Sequence, residues 1–193
     1  MPRERLTAFS DGVIAIIITI MVLDLKVPHG ADWAALTQLL PVFLSYILSF
    51  AYVAIYWNNH HHLMYTCERV DGAILWANMN WLFWLSLLPF VTAWMGENQF
   101  APLPTALYGV ALTMPAVAYF LLQRAIIRRE GETGLLAQAL GNDVKGKISP
   151  PLYLVAIAVS FVKPWIAQVI YVAVALLWLI PDRRIEKAIE GRG

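Results

Sequence analysis

The chain has 193 residues, 60% of them hydrophobic and only 14% charged, with a formal net charge of +1. A soluble domain carries roughly 25% charged residues, so this composition, with a mean hydropathy of +0.62, argues against a soluble domain and for an all-α integral membrane protein. The near-neutral balance gives no electrostatic footprint for nucleic acid, and the single cysteine, Cys67, excludes an intrachain disulfide and a thiolate metal cluster.

Six apolar segments divide the chain, read as a single membrane domain over residues 1–193: about 8–27, 33–57, 70–95, 103–123, 148–162 and 165–181. A helix of about 20 apolar residues crosses roughly 30 Å of hydrocarbon. The first segment follows Arg3 and Arg5, contains Asp11 and lacks a small-residue cleavage site, so it reads as a retained helix and not a signal peptide. It ends near Pro28. The second is entered through Asp32 and Trp33, the third stops at Gly96-Glu97-Asn98, and the fourth carries an internal Pro115, which a membrane helix packed by neighbours tolerates. A polar stretch with Arg124, Arg128, Arg129, Lys145 and Lys147 precedes two short segments split by Lys163-Pro164, which read as a thin or tilted hairpin.

With both termini in the cytoplasm and six crossings, only Lys26 and Lys163 of the 14 basic residues fall outside. The cytoplasmic twelve include Arg183, Arg184, Lys187 and Arg192. That asymmetry favours an even helix count and this orientation. Most of the eight tryptophans lie near segment ends, as an aromatic belt would place them.

The first segment carries a pattern of its own. At 100° per residue and relative to Ile16, Ile20 lies at about +40°, Leu23 at about −20° and Thr19 at about −60°, one face stacked over two turns. Ser10 and Asp11, at about +120° and about −140°, point elsewhere. An apolar stripe of this kind fits a pore constriction and also fits plain packing against lipid or protein. Ser10 and Asp11 suit bonds to neighbouring helices, and they suit a helix cap equally. Acidic groups at membrane depth are functional candidates because their burial is costly.

Three motifs resemble one family. Arg5 followed by Phe9-Ser10-Asp11, then Trp57-Asn58-Asn59-His60-His61, then Asn78 with Leu82, Ser86 and Pro89-Phe90, look like the signatures of the transmembrane protein 175 family, potassium channels of lysosomes and bacteria. The resemblance implies a potassium-selective channel whose first helices surround an axis, with Ile16, Ile20 and Leu23 forming an apolar constriction and Thr19 a hydroxyl ring that aids selectivity. It also implies a structural network of Arg5, Ser10, Asp11, Trp57, His60 and Asn78. Members with a doubled repeat work as dimers, so one six-helix copy implies a homotetramer in a bacterial plasma membrane, with potassium as permeant species and no other cofactor. No Thr-Val-Gly-Tyr-Gly stretch occurs, so a backbone-carbonyl filter has no support.

The alternative from another class is a proton- or cation-coupled secondary transporter using Asp11 and His60. A metal site at His60-His61-His62 is disfavoured, because adjacent helical residues point about 100° apart, and no catalytic motif is present. Asp24, Asp32 and Glu97 are expected at the external end, as solvated loop acids or as cation attractors.

Overall fold

The computed structural model describes residues 1–131, 134–140 and 144–179, and every regular element among them is helical. In chain order these are α1 (Arg3–Leu23), α2 (Trp33–Gln38), α3 (Leu40–Tyr65), α4 (Gly72–Ser86), α5 (Leu88–Glu97), α6 (Pro102–Glu130), α7 (Leu135–Leu140), α8 (Val144–Ser160) and α9 (Pro164–Leu179). The basic residues Arg183, Arg184, Lys187 and Arg192 and the end of the sixth expected segment lie outside the described residues.

Several boundaries differ from the sequence expectation, each for a local reason. α1 starts at Arg3, not near residue 8, because Leu6 is buried and anchors the first turn. Ser10 and Asp11 therefore sit inside the helix and do not cap it. The expected second segment is two helices. Asp32 caps α2 by accepting from the Ala35 amide at 2.8 Å, and α3 begins beside Pro41 and runs eight residues past Trp57. The third segment breaks at Leu87, just before Pro89, whose missing N–H cannot continue the ladder. α6 extends to Glu130, where Gly131 at φ 87° ends it.

Among the described residues four stretches are long and apolar enough to cross a membrane: residues 3–23, 40–65, 72–97 (α4 with α5) and 102–130. α8 and α9 are shorter, at 17 and 16 residues. α4 packs on α6, α6 on α8, α8 on α9 and α3 on α5, while α1 lies against α3, α4 and α5. Two close approaches need glycine. A side chain at Gly96 would strike the Val42 backbone of α3, and one at Gly109 would strike Tyr171 of α9 and Ile157 of α8.

The main core spans α1, α3–α6, α8 and α9. A smaller one gathers Leu6, Leu63, Cys67, Ile74, Ile126 and Leu136 at the end of the bundle where α1 begins. Trp81 belongs to the main core and is fully buried, so it is no belt residue; Trp33, Trp76 and Trp165 are exposed.

Candidate functional site

α1 presents two chemically different sides. Leu6, Ser10, Ile14, Ile17 and Met21 are buried in the seam with its neighbours. On the other side Ile16, Ile20 and Leu23 are 59%, 44% and 79% exposed in the single chain, and Thr19 is exposed beside them. The Thr19 hydroxyl donates to the Ala15 and Ile16 carbonyl oxygens at 2.7 and 2.9 Å. Its proton is thus turned back to the helix and its remaining lone-pair density faces outward.

The buried side of α1 is tied down by a short polar chain. The Ser10 hydroxyl donates to the Leu6 carbonyl at 2.9 Å and accepts from Asn78 Nδ2 at 2.9 Å. An amide that donates to Ser10 turns its oxygen the other way, and Asn78 Oδ1 lies 2.8 Å from His60 Nε2. His60 therefore donates through Nε2. Ser10, Asn78 and His60 are all fully buried. The His60 ring stacks on Trp81, with centroids 4.6 Å apart and planes at 9°, and its Nδ1 has no hydrogen-bond partner among the described residues. A second link runs outside the first: Trp57 Nε1 donates to Asp11 Oδ1 at 2.9 Å. Five of the six residues expected in a network are thus brought together, in two links joining α1, α3 and α4.

Arg5 is the exception. It is exposed and makes no hydrogen bond or ion pair with any described residue. Eleven residues before Ile16, it lies about −20° from it on the wheel, on the stripe side and away from α3 and α4. Arg3 occupies the inward position instead, donating to the Tyr65 carbonyl at 3.2 Å with its guanidinium 5.4 Å from the Tyr65 ring centroid.

The three histidines diverge, as their spacing requires. His60 points inward, and the exposed His61 lies between Trp57 and Tyr65. Among the described residues no cluster of metal-ligating side chains forms. Of the three acids expected at the external end, Asp32 caps α2, Glu97 pairs with Lys26, and Asp24 follows α1 as its C-cap residue. Glu97 raises the Lys26 ammonium above its usual value through that hydrogen bond and its charge. The stacking of Trp81 on His60 was missed by sequence reasoning; its signal was the three-residue step from Asn78, which places both on one face of α4.

A family model described as the endosomal/lysosomal potassium channel TMEM175 matches residues 5–89. A potassium channel of a Chryseobacterium species is 56% identical over 190 residues, which span 98% of this chain and 99% of that one. The chain belongs to the TMEM175 channel family. Its members are channels and not enzymes, and potassium is the permeant ion that fits the family, with no cofactor expected. A crystal structure of a lysosomal potassium-selective channel TMEM175 homolog from Chamaesiphon minutus superposes with a TM-score of 0.81 at 28% identity, covering 93% of this chain and 97% of that one. The human endosomal/lysosomal proton channel TMEM175 is 34% identical over 116 residues, which span 54% of this chain but 23% of that protein.

Proposed function

We propose that this protein is a homotetrameric potassium-selective channel of a bacterial plasma membrane, with α1 lining the pore of a single six-crossing domain over residues 1–193. α8 and α9 make the fifth and sixth crossings, and both termini lie in the cytoplasm. The observation that carries the reading is the exposed apolar stripe on α1, set about 120° round the helix from a face fixed by buried hydrogen bonds. One helix per subunit cannot enclose a tunnel, so several copies around a closed axis are needed. The potassium-channel relatives and the potassium-selective structure that the fold matches support the choice of ion.

Within that assembly Ile16, Ile20 and Leu23 form successive apolar rings, which close a narrow pore by dewetting. Thr19 contributes a ring of hydroxyl oxygens. Because their protons are held by backbone carbonyls, these oxygens meet a partly dehydrated cation with lone pairs and not with hydrogen. Ser10, Asn78, His60, Trp57 and Asp11 hold each first helix at a fixed rotation, which keeps the stripe turned inward. Arg5 stands on the same side at the end of the helix, outside the clamp.

The test is flux from proteoliposomes loaded with potassium. Wild-type channel passes potassium down its gradient without a proton gradient, and flux follows voltage. Ile16→Asn wets the constriction and raises leak, whereas Thr19→Val lowers preference for potassium over sodium at unchanged expression. Unchanged conductance and ion preference in Ile16→Asn would remove α1 from the pore. Flux that requires a proton gradient would favour a coupled transporter working through Asp11 and His60.

A further inference from the structure

We propose that each subunit also holds one anionic phospholipid, with an acyl chain in a cavity between α3, α6, α8 and α9 and the phosphate on the arginines that end α6. The cavity measures about 400 Å³, within the roughly 300–1,000 Å³ of ligand sites. Tyr52 and Tyr56 of α3, Tyr119 and Phe120 of α6, Tyr153 of α8 and Trp178 of α9 line it.

Three of the polar groups in these walls are turned to protein partners. The Tyr52 hydroxyl donates to the Tyr171 carbonyl at 2.7 Å, the Tyr119 hydroxyl to the Asn59 carbonyl at 2.9 Å, and Trp178 Nε1 to Ser149 Oγ at 2.8 Å. What remains facing the space is mainly carbon. A cavity of this kind offers ordered water few partners and suits hydrocarbon. Two of its lining residues, Val117 and Phe120, are 41% and 50% exposed, so it opens sideways along the outer face of α6. A lipid tail enters there without leaving an apolar environment.

One end of the opening is basic. Lys147 and Gln123 line the same cavity. Phe120 is shared with an adjoining groove formed by Arg124, Arg128 and Arg129 with Asp71. The Arg124 guanidinium lies 5.1 Å from the Phe120 ring centroid, which joins the two spaces. Asp71 offsets part of this charge, but its Oδ1 already accepts from the Ile74 amide at 2.9 Å, and three arginines leave the groove positive. The 29 residues of α6 span about 43 Å at 1.5 Å each, more than the roughly 30 Å of hydrocarbon, so its basic end reaches phosphate depth. A zwitterionic lipid carries its own ammonium, which offsets the gain from the arginines, and a free phosphate makes no use of the cavity. A basic pocket between membrane helices is a known setting for anionic headgroups.

Native mass spectrometry of the purified channel, titrated with phosphatidylglycerol or phosphatidylcholine, tests this without reading ion flux. It therefore stands or falls separately from the pore. We expect one phosphatidylglycerol per subunit and a preference over phosphatidylcholine of about thirty-fold, from two arginine contacts. The double variant Arg124→Gln/Arg128→Gln abolishes the preference, and Ala116→Trp, which fills the cavity, abolishes retention. A phosphatidylglycerol with a photoreactive tail should label peptides of α3 and α8 in the unmodified protein, which needs no variant to fold. Equal binding of the two lipids overturns the proposal, as does label spread over the outer face of α3 at Phe43 and Ile47. Displacement of the lipid by millimolar inorganic phosphate would make this a free-anion site and overturn it too. Lipid on dissociated subunits but absent from the whole oligomer would mean that a neighbouring subunit closes the mouth, and would overturn it equally.

Discussion

Around α1, α3 and α4, a few polar side chains buried in apolar surroundings carry the specific contacts: Ser10 to Asn78, Asn78 to His60, and Trp57 to Asp11. Between α6, α8 and α9 aromatic and steric contacts dominate, with hydrogen bonds from Tyr171 to the Thr105 carbonyl and from Trp178 to Ser149 beside them. Tyr108 meets Tyr171 with ring centroids 5.5 Å apart, Tyr153 meets Tyr171 at 6.4 Å, and Gly109 lets α9 approach closely. Lipid tails are as apolar as leucine, so membrane helices gain nothing from hiding apolar surface from lipid. They are held by close packing and by hydrogen bonds, and the two halves of this chain weight them differently. Hydrogen bonds fix rotation, which α1 needs if it lines a pore as proposed. Close packing fixes distance, which a peripheral hairpin needs.

The contrast can be broken at either end. The largest effect is expected from Gly109→Leu, which forces a side chain into Tyr171 and Ile157 and should cost about 3 kcal/mol. Thermal unfolding in mild detergent reads this, and a loss near zero would mean that α9 does not depend on close approach. Asn78→Leu comes next. It strands the His60 Nε2 donor while leaving Ser10 its bond to Leu6, and should cost about 1–2 kcal/mol. Its oligomer should loosen on size-exclusion more than that of Gly109→Leu at equal stability, if the polar chain sets the rotation of α1. Trp57→Phe keeps the ring and removes one partly exposed hydrogen bond to Asp11, for about 1 kcal/mol or less.

At neutral pH the smallest effect is at Cys67, in the connection between α3 and α4. Burial pushes its thiol up to about 11, so it stays protonated and reacts slowly with maleimide at neutral pH until the protein is unfolded. An acid whose folded value is raised weakens the fold as pH climbs, because the unfolded chain releases its proton first. The stability contribution should therefore fall between about pH 9 and about pH 11, and a flat profile in Cys67→Ala would assign that slope to this thiol.

The two halves also differed in how far they could be read from sequence. The clamp was legible through the family resemblance, which implied its members; burial adds the reason, since an asparagine, a histidine and a serine within apolar runs must find partners. Arg5 misled because its motif spacing says nothing about which side of the helix it faces; the eleven-residue step to Ile16 does. The tyrosine packing of the second half was not legible. Tyr52, Tyr108, Tyr153 and Tyr171 are scattered over a stretch whose ends lie 119 residues apart, and nothing in an apolar run says which neighbour it will meet.

Composition and the spacing of charges were enough to specify a helical membrane protein and the two sides of α1, because both follow from the solvent and the helical period. Tertiary structure alone decided which tyrosines meet, that α6 and α9 approach closely at Gly109, and that four helices leave a lipid-sized space between them. Those outcomes depend on contacts between residues far apart in the chain, where missing side chains and paired hydroxyls act only once the helices have met.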